Sequence, residues 1–106
     1  MKKFELGKVF ITPGAMEEMK KLGANAIRLL GRHQGGDWSE MDIEDQKENE
    51  YSIGKSLRIF SSYTIKGYRL IESGRPCSTW EVEGVRFWVI TEADRSATTI
   101  LLPSEY

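Results

Sequence analysis

The residues from Val85 to Tyr106, VRFWVITEADRSATTILLPSEY, limit the fold more than any other stretch. Val85, Phe87, Trp88, Val89 and Ile90 suit a pleated, half-buried surface. A polar turn, Glu92-Ala93-Asp94-Arg95-Ser96, separates this run from a second one, Ala97–Leu102. The spacing predicts a hairpin of Val85–Thr91 and Ala97–Leu102. Pro103 has no N–H to donate, so the ladder is expected to stop there. Everything upstream must pack on this sheet.

The upstream half has a different periodicity. Phe4 to Ile11 is a short strand at best. Thr12-Pro13-Gly14 reads as a helix start, with Thr12 as cap and Pro13 in the first turn. Ala15, Met16, Met19 and Leu22 form its apolar face, and Gly23 its stop. Asn25 caps a second helix whose face is Ala26, Ile27, Leu29 and Leu30, with Arg32 and His33 in the last turn. The pair makes a helix–turn–helix corner, but its second helix is too apolar to read bases. After the loop Gln34–Glu40, Asp42 caps a third helix, Ile43–Ile53, ending at Gly54. Only Ile43, Tyr51 and Ile53 look able to pack from it.

Beyond Gly54 the runs are strand-like. Leu57–Ile65 places Leu57, Ile59, Ser61, Tyr63 and Ile65 on one face. Tyr68–Ile71 reads as a strand or its continuation, and Glu72–Pro76 as a turn. Thr79–Val82 reads as a return strand, and Glu83-Gly84 as a tight turn. The expected fold is α+β: three N-terminal helices packed on a C-terminal antiparallel sheet, a meander ending in the hairpin. At 106 residues the chain is expected to form a single domain. Trp88, mid-strand among apolar neighbours, is the expected core tryptophan; Trp38 and Trp80 sit beside turns.

Charge and cysteine content narrow the function classes. A net charge of −1 disfavours general nucleic-acid binding, which draws its affinity from cationic neutralisation of phosphates. The single cysteine, Cys77, excludes an internal disulfide. No signal peptide or membrane span is legible, so a cytoplasmic protein is expected. Gly31–Glu50 holds seven acids against two bases, a net of −5. Gly54–Pro76 holds five bases against one acid, a net of +4. Such segregation suits a protein partner or self-association.

No metal-ligand spacing, nucleophile elbow or phosphate loop occurs, and no cofactor is expected. Two clusters carry more polar chemistry than a loop requires. One is Arg32, His33, Asp37 and Trp38, a basic helix end followed by a glycine hinge, an acid and an indole. The other is the turn with Glu92, Asp94 and Arg95, where Arg95 could grip a carboxylate or phosphate. Each also has a plain structural reading: Trp38 as a core plug beside a turn-forming Asp37, and the second cluster as a side-chain-bonded turn.

Thr12-Pro13-Gly14-Ala15, Arg32-His33-x-x-Gly36-Asp37-Trp38, Asp45-x-x-Glu48-Asn49-Glu50 and the run from Trp88 to Tyr106 together resemble a family of small bacterial proteins. These are usually labelled hypothetical or plasmid-related and are often carried on mobile elements. Lys66–Gly84 is longer than the corresponding hairpin of that family. The resemblance implies a bacterial, mobile-element setting and brings no catalytic residues with it.

Two functional readings stand at this point. The first is a non-catalytic binding or regulatory module. The second follows from the element order, which is similar to the RelE/ParE toxin superfamily. That similarity implies a ribonuclease, or a toxin acting on a protein, in which Arg58, Tyr63, Tyr68, Arg69 and Arg95 would hold phosphate and stabilise developing charge. Convergence of these side chains on one concave sheet face separates the two.

Overall fold

A computed structural model of the chain describes residues 2–71 and 79–106, with side chains described outside 67–83. The element order is β1 (Lys8–Ile11), α1 (Pro13–Leu22), α2 (Ala26–Gln34), α3 (Ile43–Lys55), β2 (Ile59–Ile71), β3 (Thr79–Thr91) and β4 (Ala97–Leu101). A short 3-10 turn, Pro103–Glu105, closes the chain. The turn expected at Glu72–Pro76, and Cys77, lie outside the described residues.

The helix starts follow the sequence. The side chains of Thr12, Asn25 and Asp42 each accept a backbone N–H of the first turn they cap. Gly23 takes the left-handed conformation that ends α1, at φ 65°. The third helix runs further than expected, through Gly54 to Lys55, and Ser56 takes the left-handed cap at φ 54°. Its packing face also differs. Ile43 and Tyr51 are exposed, while Asn49 and Ser52 are buried.

The sheet has the order β1-β4-β3-β2. β2 pairs antiparallel with β3 over its whole length, from Ile59 opposite Thr91 to Ile71 opposite Thr79. β3 pairs antiparallel with β4, and β4 pairs parallel with β1. The expectation of three N-terminal helices on a sheet built only from the C-terminal half is therefore corrected. The chain begins with a strand of that sheet, so its helices are interleaved between strands and the sheet is mixed. The physical reason lies at Gly7. Its φ of 66° turns the chain so that Lys8 N–H reaches the Ser96 carbonyl at 3.0 Å. A Cβ at Gly7 would fall 2.3 Å from that same oxygen, so the approach needs glycine.

The expected turn at Glu83-Gly84 is corrected as well. Glu83 pairs with Gly67 and Gly84 with Lys66 inside one continuous ladder. Gly84 is not among the positive-φ glycines, so it acts there as a strand residue rather than a turn former.

The alternation of β2 puts Ile59, Ser61, Tyr63 and Ile65 on the helix-covered face, as the spacing predicts. There Ala15 and Met19 of α1 and Leu29 of α2 pack on Tyr63, Phe87, Val89 and Ile100. A second cluster joins Phe4, Trp38 and Ile59. Trp38 is 3% exposed. Trp88 is half-buried on the opposite sheet face, edge-on to Phe60 at 4.9 Å and to Tyr106 at 5.7 Å. Of the two tryptophans whose side chains are described, Trp38 is thus the core one, as its core-plug reading has it, and Trp88 is not; the side chain of Trp80 lies outside the described ones. The loop after α2 folds back over the sheet end, which no local pattern announces.

Candidate functional site

The two polar clusters singled out from sequence both turn inward. His33 is fully buried on the core side of α2, with Phe4 edge-on to its ring at 5.0 Å. Its two ring nitrogens meet hydroxyls from different strands, Nδ1 at Ser61 Oγ and Nε2 at Thr91 Oγ1, the latter 2.8 Å away. Trp38 Nε1 lies 2.8 Å from Ser61 Oγ. Thr91 Oγ1 lies 2.8 Å from Thr98 Oγ1, and Thr98 Oγ1 lies 2.7 Å from the Leu6 carbonyl.

The ends of this chain fix its direction. Indole N–H can only donate and a carbonyl can only accept. Thr98 therefore donates to Leu6, Thr91 donates to Thr98, and His33 donates to Thr91 from Nε2. Nδ1 is left to accept the Ser61 proton, while Ser61 Oγ accepts from Trp38. Neutral His33 protonated on Nε2 satisfies every member. Burial pushes the His33 pKa down to about 3, in keeping with that neutral form.

A serine against an imidazole has the look of a nucleophile and its base. Here Ser61 and His33 are both fully buried and every polar atom is committed. No buried side-chain nitrogen or oxygen among the described residues lacks a partner. The arrangement ties α2, the loop at Trp38, three strands and the N-terminal segment together.

Arg32 is held at the rim. Its Nε donates to Asp37 Oδ2 at 2.7 Å and its Nη2 to Glu40 Oε2 at 3.4 Å. Its guanidinium lies 4.3 Å from the Tyr63 ring centre. The hydrogen bond from Arg32 holds the Asp37 carboxyl below its ordinary range, with Ser39 contributing. Glu40 Oε1 in turn accepts Thr64 N–H at 2.8 Å, on the outer edge of β2.

The Glu92–Ser96 turn is organised by Arg95 in the left-handed conformation, φ 61°. Its Nη1 donates to the carbonyls of Leu57 at 2.7 Å, Ala93 at 3.0 Å and Glu92 at 3.1 Å. Its Nη2 donates to the Ser52 carbonyl at 3.1 Å. Arg95 therefore clamps carbonyls of its own turn and of the α3 C-terminus, where a cation is favoured. Asp94 accepts Ser96 N–H at 3.0 Å and faces solvent, its pKa lowered by hydrogen bonds from Ser96. Glu92 pairs with Arg58 at 3.3 Å. Phe4 lies between the two clusters: its ring meets His33 and lies 5.9 Å from the Arg95 guanidinium.

Of the side chains required by the ribonuclease reading, Tyr63 is fully buried and donates to the Asp37 carbonyl at 2.7 Å. Arg95 is clamped, and Arg58 is engaged by Glu92 and Tyr106. The side chains of Tyr68 and Arg69 lie outside the described ones. The described members of that set, Arg58, Tyr63 and Arg95, are thus each engaged within the fold.

Sequence reading missed three features. The first is the row of hydroxyls, Ser61, Thr91 and Thr98, in core-facing positions on three neighbouring strands. Polar residues at alternating apolar positions, with a lone histidine upstream, were the available signal. The second is a cleft of about 500 Å³ between the α1–α2 corner and the β2 edge. The third is the contrast between the two sheet edges. On β2, Asn49 receives Phe60 N–H at 3.2 Å and donates to the Phe60 carbonyl at 2.6 Å, as a neighbouring strand would. With Glu40 on Thr64, this edge is covered from Phe60 to Thr64. Among the described residues, β1 has no such cover. Lys8 and Thr12 direct their N–H groups to Ser96 and Ile100 of the β4 segment. Alternation then turns the N–H and C=O of Val9 and Ile11 outward. Val9 is 42% and Phe10 53% exposed.

Comparison with protein-family models, curated proteins and solved structures finds no match to this chain. Among the described residues, no group of three or more side chains could hold a metal ion, and no helix is long and apolar enough to cross a membrane.

Proposed function

We propose that this chain is a non-catalytic binding module that docks through the free edge of β1, receiving β1 of a second copy. One observation carries this reading: Asn49 and Glu40 cover the β2 edge at Phe60 and Thr64, while among the described residues nothing covers β1. An open edge with exposed apolar side chains is a template for another strand. The pairing is self-complementary about a twofold axis. Val9 opposite Ile11 of the second copy, and the converse, exchanges four backbone hydrogen bonds. Phe10 then meets its own equivalent across the axis, and Lys8 meets Thr12 rather than a like charge. Gly7 and Pro13 bound the strand, which keeps the contact short and suited to reversible association. The reactive groups suggested by the sequence are engaged in holding the fold, which favours binding over catalysis. The family resemblance sets such a module in a bacterial, mobile-element context.

Val9→Pro tests the proposal. It removes one outward N–H and no bond to β4, so the folded protomer is expected to keep its melting temperature within a few degrees. Sedimentation velocity of the full chain is expected to show a concentration-dependent dimer that Val9→Pro converts to monomer. A wild-type chain that stays monomeric at all concentrations, or a dimer that survives Val9→Pro, would overturn the reading.

A further inference from the structure

The sheet face turned away from α1 and α2 is aromatic near the β2 edge. Phe60 stands opposite Ile90 there, and Ser62 opposite Trp88. Phe60 and Trp88 are only half-buried. α3 lies beside this edge, with Asn49 bonded to the Phe60 backbone. Two recesses of about 260 and 230 Å³ share Met41, Asp45 and Phe60 and so form one groove. One end reaches Trp88 and Arg86, the other Ser52 and Arg58. Each recess is smaller than the roughly 300–1,000 Å³ typical of small-molecule sites, which suits successive side chains of a peptide rather than one compact ligand.

The groove is lined by four carboxylates, Glu40, Asp42, Asp45 and Glu48, against two bases, Arg58 and Arg86. Glu40 is engaged by Thr64 N–H and Arg32, and Asp42 by capping α3. Arg58 is paired with Glu92. Asp45 and Glu48 are exposed on adjacent turns of α3, and among the described residues neither forms an ion pair. Two open carboxylates thus stand beside two aromatic rings. That combination selects a cation, which carboxylates pair with and ring faces attract. The net of −5 over Gly31–Glu50 steers a basic partner to the same place. We propose that the groove docks a basic peptide segment of a partner protein. An arginine of that segment lies between Asp45, Glu48 and the Phe60–Trp88 pair, and an apolar neighbour covers Met41. Guanidinium suits this place because it pairs bidentately with a carboxylate and stacks on an aromatic face. The groove lies on the β2 side of the sheet, across from β1, so the two docking surfaces are independent.

The test is a titration of the full chain with the end-capped peptide Leu-Arg-Leu-Arg-Leu, followed by amide nitrogen–proton correlation spectra. Saturable shifts are expected at residues 41–49, 58–62 and 86–88, and at the Trp88 indole. The double variant Asp45→Asn, Glu48→Gln is expected to weaken binding about tenfold or more, as removal of two charge-assisted contacts should. Its melting temperature should stay within a few degrees of the wild type, because both side chains are exposed. The same peptide with citrulline in place of both arginines keeps the shape without the charge, and should shift these amides far less at equal concentration. The Val9→Pro protein should bind the arginine peptide as the wild type does. Absence of saturable shifts would overturn the proposal. So would shifts centred elsewhere, undiminished binding by the double variant, or equal binding of the citrulline peptide.

Discussion

His33 shows how one residue can look reactive in sequence and act as a strut in the fold. It is a lone histidine on a helix that must be apolar on that side, and burial forces it to be neutral. Protonation would make Nδ1 a second donor against Ser61, whose oxygen already accepts from Trp38. The consequence is a pH dependence with a definite sign. The unfolded chain binds the proton near pH 6.5 and the folded one only near about 3. Stability from this group is therefore full above pH 6.5 and falls as the pH drops toward 3, by up to about 1.4 kcal/mol per pH unit. Urea midpoints at pH 7, 6 and 5 are expected to fall steadily in the wild type and to stay nearly level in His33→Gln. Asp37, Asp94 and Glu105, whose carboxyls are held low, act below that window. The tryptophans give a second check at this scale. Trp38→Ala empties a buried site and removes the donor to Ser61 Oγ, an expected loss of about 3–5 kcal/mol. Trp88→Ala, on the half-buried face, should cost less in the same denaturation experiment.

Among the elements, the Glu92–Ser96 turn and the end of α3 form one unit. Arg95 reaches across from the hairpin to the Ser52 carbonyl, which also accepts the N–H groups of Ser56 and Leu57 at the end of α3, and, beyond it, to the Leu57 carbonyl. Arg95→Ala is expected to cost about 1.5–3 kcal/mol, the range for hydrogen bonds to a charged group. Arg95→Lys should not restore it, because an ammonium cannot span the four carbonyls of this arrangement. Thermal melts of the three proteins separate a clamp from a free recognition arginine, whose removal would leave the melting temperature unchanged. The same unit explains why the turn is so polar. Asp94 closes it through Ser96, Glu92 pairs with Arg58, and Arg95 faces inward. The hairpin itself was legible from Val85–Thr91 and Ala97–Leu102 and their stop at Pro103. The destination of the arginine was not, because its partners lie 38 and 43 residues away in the chain.

At the scale of the whole molecule, the two ends of the chain are joined. Glu105 accepts the Thr12 hydroxyl and Leu102 N–H through Oε1, and Gly14 N–H at 3.2 Å through Oε2. The Thr12 hydroxyl, with the amides, holds its carboxyl below the ordinary glutamate value. A carboxylate against the first turn of α1 also meets the positive end of the helix dipole. Glu105→Gln should lower the melting temperature by a few degrees at pH 7, and the difference should shrink as the pH falls below the ordinary glutamate value of 4.5 and on through the lowered value of the folded carboxyl. The amino-acid sequence by itself determined the helix caps at Thr12, Asn25 and Asp42, the inward face of β2, and the stop of the hairpin. Those depend on neighbours within a turn or on alternation within one strand, where local sterics and hydrogen bonding decide. Only the tertiary structure decided that β1 enters the sheet parallel to β4, that Trp38 rather than Trp88 is buried, and that His33 and Arg95 face inward. Each of these rests on contacts between segments far apart in the chain, and a buried polar group takes whatever partner the packed fold brings within reach.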